Sequence, residues 1–254
     1  MRPALALTAG AVLLVIALLI TAPAALLDAR IAALSAGRVR IADAAGTLWH
    51  GSGELVLLPA GTRQPLLWRL EAWPLLRGEV RATIALDADG ARSATVAYGS
   101  DRLEVRDLDV SLPAQSVLLA AQPKAPLAVG GSLALHVERF VQLPDGLDAQ
   151  LSGEWRGGSV PGSPADAPIS LGDVRIALNG RGAAINGPVR NSGGDVEIDG
   201  QVEMAAAGTV RLDASVRPRS GDRERAGRIA VALAALGTPD GQGGSRVTWT
   251  GSWK

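Results

Sequence analysis

Cysteine is absent from the 254-residue chain, so disulfides cannot stabilise the fold and thiolate zinc sites are excluded. Histidine is almost absent, and a zinc site would need both His50 and His136 together with carboxylates from distant strands. The formal net charge is zero and the arginines are scattered singly, so the chain lacks a basic surface for nucleic acid. We therefore expect no metal ion, no cofactor and no nucleic-acid partner.

The common catalytic and phosphate-binding motifs are also missing. The chain contains no G-x-S-x-G elbow, no G-x-x-x-x-G-K-[ST] loop and no G-x-G-x-x-G fingerprint. Two pairs of aspartates would each share one strand face, as hydrolase carboxylates can: Asp87 with Asp89, and Asp107 with Asp109. A turn and a solvated strand face explain these pairs more simply. We predict no catalytic residues and no enzymatic activity, because a cell-envelope hydrolase would need these carboxylates in a cleft with raised pKa values.

Charge is missing from one long stretch near the N-terminus, between Arg2 and Asp28. As a helix, the uncharged residues from Pro3 to Leu27 would reach about 37 Å, enough to cross a hydrocarbon core of about 30 Å with some tilt. The sequence therefore predicts a cytoplasmic tail over residues 1–4, a transmembrane signal anchor over residues 5–27 and a periplasmic β domain over residues 28–254.

A cleavable secretory signal is the alternative to the anchor, because Ala22-Pro23-Ala24 resembles a cleavage site. We favour an uncleaved anchor, since Leu26 and Leu27 continue the apolar run past that site. The arginines that follow the span oppose the positive-inside bias, whereas the short N-terminal tail is typical of a signal anchor. Both interpretations export the rest of the chain, and we expect a single-pass protein of the cell inner membrane.

The chain is rich in glycine, with 31 residues, and in stretches where apolar and polar residues alternate. Such alternation is typical of half-buried strands, and Asn-Gly and Asp-Gly pairs between the stretches favour turns. We predict a mainly β fold, a Gly-rich antiparallel β-meander that forms a sandwich or an open β-groove. A shift in the alternation at Arg106-Asp107 indicates a β-bulge. The alternating stretches are Val80 to Leu86, Leu133 to Val137, Val174 to Leu178, Val196 to Met204, Val210 to Val216 and Val247 to Trp253.

Two segments favour short helices within this β chain. Pro113 to Ala121 begins with proline at a suitable first helical position, and Arg223 to Leu236 ends before Gly237 with Pro239 just beyond. A third segment, Gly157 to Pro168, is dense in glycine, proline and serine. It is either a boundary between two lobes near residues 157–168 or a long surface loop.

The most distinctive string of the chain is Gly46-Thr47-Leu48-Trp49-His50-Gly51-Ser52-Gly53. Either Trp49 packs into the core with Gly51 and Gly53 allowing close backbone approach, or Trp49 docks a partner. Trp68 and Trp73 are opposite in parity, so one of them must face outward if they share a regular strand. We predict Trp49, Trp68 and Trp73 as partner contacts, because exposed tryptophan is common at interfaces.

The chain resembles the type II secretion system protein N family, also called general secretion pathway protein N. The likeness rests on the single anchor, Gly46-Thr47-Leu48-Trp49 with Gly51, the helical segment after Leu112-Pro113, and Leu236-Gly237-Thr238-Pro239-Asp240 before a final strand. The resemblance implies a non-enzymatic accessory component of the type II protein secretion machinery. It further implies that the periplasmic domain contacts other inner-membrane or outer-membrane subunits. It carries over no functional residues.

An AsmA-like protein that handles lipid in the cell envelope is the alternative interpretation. Such a protein would share the anchor and the Gly-rich strands, but its apolar face would line an open groove. Exposure distinguishes the two, because an uncovered apolar set favours lipid binding and a covered one favours a structural role. The diagnostic residues are Val80, Ile84, Leu135, Val210 and Leu212.

Overall fold

The computed structural model describes residues 21–121, 128–162, 167–219, 223–241 and 243–252. The chain divides into two compact units, of which unit 1 ends at Ser93 and unit 2 runs from Ala94 to Lys254. The predicted tail, residues 1–4, and residues 5–20 of the predicted anchor lie outside the described part of the chain. Among the helices that the structure does describe, none combines the length and the apolar character needed to cross a bilayer.

Unit 1 is a four-stranded antiparallel meander in the order β1-β2-β3-β4. Its core is built from Ile41, Leu66 and Trp68, against which Leu27 and Ile31 of the first helix pack. The alternation of buried and outward residues in β3 explains why this segment forms a strand. The elements are α1 (Ala25–Leu34), β1 (Val39–Gly46), β2 (His50–Leu57), β3 (Thr62–Glu71), α2 (Ala72–Leu75) and β4 (Val80–Ala85).

Unit 2 continues as a longer antiparallel meander in the order β5-β6-β7-β8-β9-β10-β11-β12-β14-β13. The predicted antiparallel β architecture and both predicted short helices are confirmed. Its elements are β5 (Ser93–Tyr98), β6 (Leu103–Pro113), α3 (Ala114–Ala121), β7 (Gly130–Leu143), β8 (Gly146–Val160), β9 (Ile169–Gly182), β10 (Ala184–Ser192), β11 (Val196–Ala205), β12 (Thr209–Pro218), α4 (Arg223–Leu236), β13 (Thr238–Pro239) and β14 (Ser245–Ser252).

Two buried clusters form the core of unit 2. The first contains Leu147, Leu178 and Val202 from β8, β9 and β11. In the second, Ile229 and Leu233 bring one face of α4 onto the sheet. Burial of these apolar side chains, at about 25 cal/mol per Å², is the main force that holds the meander together without disulfides.

The segment Gly157 to Pro168, predicted as either a lobe boundary or a long surface loop, includes the last residues of β8 and leads into β9. Ser159 pairs with Ser170 and Val160 pairs with Ile169, so β8 and β9 form a hairpin around it. Residues 163–166 of this connection lie outside the described part of the chain. The division into compact units falls between Ser93 and Ala94 rather than here.

Asp195 joins the beginning of α4 to the sheet of unit 2. Its Oδ2 accepts a hydrogen bond from Nη2 of Arg225 at 2.7 Å and another from the backbone N–H of Ser170 at 2.9 Å. The Arg225 bond is the chief cause that lowers the pKa of Asp195, and the Ser170 bond adds to it, against partial burial, which raises the pKa. The ionised carboxylate is therefore part of the folded structure.

Replacing Asp195 with asparagine should reduce the loss of stability of unit 2 that occurs as the pH falls. Because the folded-state pKa of Asp195 lies below its unfolded value, the stabilisation is present above about pH 4 and disappears as the pH falls through the folded-state pKa. Urea unfolding midpoints measured from about pH 6 to about pH 3 should decline less in Asp195→Asn than in the wild type. The control is Asp145→Asn in the exposed β7–β8 turn, and equal declines in Asp195→Asn and wild type would contradict this prediction.

Candidate functional site

The Gly46–Gly53 string forms the turn between β1 and β2 and the first half of β2. The backbone N–H of Thr47 donates to the carbonyl of His50 at 2.9 Å, and Nε1 of Trp68 donates to the carbonyl of Thr47 at 3.2 Å. A Cβ on Gly51 would lie 2.4 Å from the carbonyl oxygen of Ala45 and 2.4 Å from the Trp68 ring, so this position requires glycine. The β1–β2 turn is therefore packed against the buried Trp68 ring and hydrogen-bonded to it.

The first described residues of the chain join the same turn. Pro23 forms an antiparallel bridge with Thr47, and the carbonyl of Ala22 accepts a hydrogen bond from the N–H of Leu48 at 2.8 Å. Ala22 and Ala24 are buried, with 8% and 2% of their surface exposed. Residues 21–27, which the sequence assigned to the anchor, thus belong to unit 1, and a cut after Ala24 would remove part of its core.

The three tryptophans predicted as partner contacts differ in exposure. Trp68 has only 4% of its surface exposed and packs in the core of unit 1, so it cannot present its ring to a partner, contrary to the prediction. Trp49 is half-buried. Trp73 is 74% exposed, and it lies on α2 rather than on the strand that contains Trp68. Of the three, Trp73 offers by far the most surface for a contact.

The predicted aspartates do not assemble into an acid–base site. Asp87 and Asp89 lie at the turn after β4, where Oδ2 of Asp87 accepts a hydrogen bond from the N–H of Arg92 at 3.0 Å. On β6, Asp109 lies 2.6 Å from Nδ1 of His136, and both side chains are exposed. Within the described ranges, no group of three histidine or carboxylate side chains is arranged to hold a metal ion.

Arginines pair with carboxylates across neighbouring strands of unit 2. A hydrogen bond from Arg181 lowers the pKa of Asp148, and one from Arg246 lowers the pKa of Asp213. The pKa of Glu154 is lowered by a bond from Arg156 on its own strand and by one from Arg175 on β9. A general acid needs a raised pKa, so these carboxylates carry the opposite electrostatic signature.

A wide polar groove of about 670 Å³ crosses β10, β11, β12 and β14. All of its lining residues are polar or glycine, and the charges of both signs are largely paired. Nε of Arg246 lies 2.7 Å from Oδ1 of Asp213, and Nε of Arg217 lies 3.3 Å from Oδ2 of Asp240. The groove therefore offers neither an apolar wall for an acyl chain nor a concentration of one charge.

The diagnostic apolar residues do not line one open groove. Ile84 packs against the core of unit 1, and Val210 and Leu212 pack against the first buried cluster of unit 2. Val80 and Leu135 are 39% and 38% exposed, on β4 and β7. Three of the five are thus partly buried against neighbouring side chains and two are exposed, so the set forms no continuous open apolar surface.

The two outer strands β1 and β14 differ in how their edges are protected. On β1, Oδ1 of Asp28 accepts a hydrogen bond from the N–H of Ile41 at 2.7 Å, and Arg40 pairs with the same carboxylate at 2.7 Å. These bonds, led by the one from Arg40, lower the pKa of Asp28. The Asp28 side chain on α1 therefore accepts the hydrogen bond from the Ile41 N–H, a donor that an added strand would need.

The outer edge of β14 has no such protection along most of its length. β13 pairs with β14 only at Ser245 and Arg246, and among the described residues no strand pairs with the outer side from Val247 to Gly251. Trp249, in the middle of this stretch, is 51% exposed. The alternation from Val247 to Trp253 predicted this strand but not its open edge, although a final strand of a meander has a neighbour on one side only.

The comparisons with known proteins identify the family. The family model for type II secretion system (T2SS), protein N matches residues 37–248, which is most of the chain. No match was found among curated proteins or among solved structures. The matched residues include the Gly46–Gly53 turn, the whole of both described helices of unit 2 and the beginning of β14. The chain therefore belongs to the type II secretion system protein N family.

Proposed function

We propose that this component of the type II secretion system is a non-enzymatic accessory subunit, anchored in the inner membrane with its β units in the periplasm. The chief support comes from the first described residues, where Ala22 and Ala24 are buried in unit 1 directly after an uncharged apolar segment of the sequence. A segment retained in this way acts as an anchor, because its removal at Ala22-Pro23-Ala24 would leave the Thr47 turn without its neighbour.

A structural role fits the chemistry of the described residues better than catalysis does. Carboxylates with lowered pKa values, such as Asp148 and Asp213, stay ionised and paired with arginine. Such pairs on exposed strands fix the register of neighbours and add little net stability. The polar groove across β10, β11, β12 and β14 gives the lipid-handling alternative no support, since none of its described lining residues is apolar.

The open edge of β14 is the surface through which we expect the chain to contact another subunit. Its unpaired backbone donors and acceptors suit an added strand, which gains main-chain hydrogen bonds at once. Trp249 lies on this edge and supplies exposed aromatic surface, the kind of residue that dominates interface energies. Other subunits of the secretion system are the partners that the family membership suggests.

Photo-crosslinking in intact cells tests this proposal. An aromatic crosslinking residue at position 249 should form adducts with other type II secretion subunits, identified by mass spectrometry. Position 231 is the matched control, because Val231 is 74% exposed but lies on the helix α4 and not on a strand. We expect several-fold more subunit adduct from position 249 than from position 231.

The same cells report the orientation of the chain. Since the natural chain has no cysteine, a single cysteine in place of Asp145 can be labelled specifically with a membrane-impermeant maleimide. Labelling of intact spheroplasts is expected. No secretion-subunit adduct from position 249, or labelling only after lysis, would contradict the proposed role.

A further inference from the structure

Three segments of unit 1 meet at one end of its sheet. The first described residues lie there, because Pro23 bridges to Thr47 in the β1–β2 turn. β3 ends there, because its Leu70 donates its N–H to the carbonyl of Trp49 at 2.6 Å, and α2 follows directly. With strands about 4.8 Å apart, Pro23 and α2 are separated by about 10–15 Å.

This end of the sheet carries a concentration of exposed apolar side chains. Trp73 and Leu76, on and just after α2, are 74% and 76% exposed. Leu26, in the first turn of α1, is 52% exposed, and Val80, at the beginning of β4, is 39% exposed. Large apolar side chains grouped in this way indicate a surface that is covered in the working protein.

Charged side chains surround the apolar group. Arg69 and Arg77 are exposed, and within the described part of the chain no hydrogen bond or ion pair holds either guanidinium group. Arg81 is paired with Glu79. Tryptophan beside arginine is the composition that proteins place at the membrane interface, where the ring lies among headgroups and the arginine reaches phosphates.

The position of the uncharged segment decides what covers this surface. Residues 3–20 carry no charge and lead into Thr21, next to the bridge between Pro23 and Thr47. No linker separates that segment from unit 1. A bilayer that takes up the segment therefore lies close in space to α2. The lipid surface is therefore always adjacent to α2, whereas a protein partner would have to enter the gap between α2 and the bilayer.

We propose that Trp73 and Leu76 insert into the interfacial layer of the bilayer that holds the N-terminal segment, so that α2 docks unit 1 on the membrane. This inference rests on the proposed anchoring and adds a second contact to it. The segment supplies affinity, and the α2 contact fixes the orientation of unit 1 by preventing rotation about the point where the chain leaves the bilayer.

Depth measurement on single-cysteine variants tests the proposal. The full chain is reconstituted into liposomes of phosphatidylethanolamine and phosphatidylglycerol, and a spin label is attached at Trp73→Cys or at Leu34→Cys. Leu34 is the matched control, since it is 80% exposed but is the last residue of α1, about 15 Å from the beginning of that helix. Collisions with a water-soluble nickel chelate should be several-fold fewer at position 73 than at position 34, with the reverse order for oxygen.

A label at Leu76→Cys should repeat the result, which excludes an effect of losing the Trp73 ring. A second outcome is that the chain floats with the liposomes while labels at positions 73 and 76 collide with the nickel chelate as often as a label at position 34. That result would contradict the proposed membrane contact of α2 and leave the proposed anchoring supported. If the chain fails to float, both the anchoring and this inference are overturned.

Discussion

Trp68→Ala is expected to lower the free energy of unfolding of unit 1 by about 3–5 kcal/mol, the usual cost of removing a buried tryptophan ring. The ring is 4% exposed, packs with Ile41 and Leu66, and holds the Thr47 carbonyl through its Nε1. Its loss would leave a cavity beneath Gly51 and would leave the carbonyl oxygen of Thr47 without its hydrogen-bond donor. Hydrogen–deuterium exchange of peptides from residues 37–93 reports the change directly, because protection there should fall towards that of a mobile loop.

Trp73→Ala is the matched control, because it removes the same side chain only a few residues along the same unit. Its ring is 74% exposed, so the free energy of unfolding should change by less than about 0.5 kcal/mol. Peptides from unit 2 serve as an internal reference in both variants. If the two substitutions cost the same, Trp68 is not a core residue and the assignment of partner contacts must be revised.

The fold of unit 2 could be predicted where alternation is uninterrupted. The stretches Val196 to Met204 and Val210 to Val216 correspond to β11 and β12. β10 was not predicted, because Asn186-Gly187-Pro188 resembles a turn. In the sheet, a Cβ on Gly187 would lie 1.6 Å from the carbonyl oxygen of Ala177, so the glycine reflects close strand packing rather than a turn.

The predicted bulge at Arg106-Asp107 shows a similar limit. Asp107 does adopt a left-handed conformation, with φ of 55°, and this accounts for the change of face in the alternation. The pairing with β7 nevertheless stays in register on both sides, with Arg106 opposite Arg139 and Leu108 opposite Val137. A shift of pattern therefore located the backbone distortion but could not distinguish a bulge from a single left-handed residue.

The tryptophan surface was only partly predictable from the sequence. Parity predicts that one of Trp68 and Trp73 faces outward if both lie on one regular strand, but β3 ends at Glu71 and Trp73 lies on α2. Sequence position alone could not reveal that α2 lies at the same end of the sheet as Thr21. That proximity depends on the register of β2 with β3, which pairs His50 with Arg69.

The structural and lipid-handling interpretations predict different results at the buried cluster around Leu147. In a carrier, the apolar face of the sheet is open, and shortening one side chain would mainly weaken lipid binding. In this chain Leu147 is 1% exposed and packs with Leu178 and Val202, while Val210 and Leu212 pack against the same cluster. Its role is therefore measurable as stability.

We expect Leu147→Ala to lower the free energy of unfolding of unit 2 by about 2–5 kcal/mol, because both transfer energy and packing are lost when a leucine is removed from a filled core. Leu143→Ala removes the same atoms from the same β7–β8 hairpin, but Leu143 is 43% exposed, so its cost should stay below about 1 kcal/mol. Urea unfolding of the full chain, followed by circular dichroism, measures both. Similar small costs for the two variants, together with binding of a fluorescent phospholipid that Leu147→Ala weakens, would favour the open groove of a lipid-handling protein.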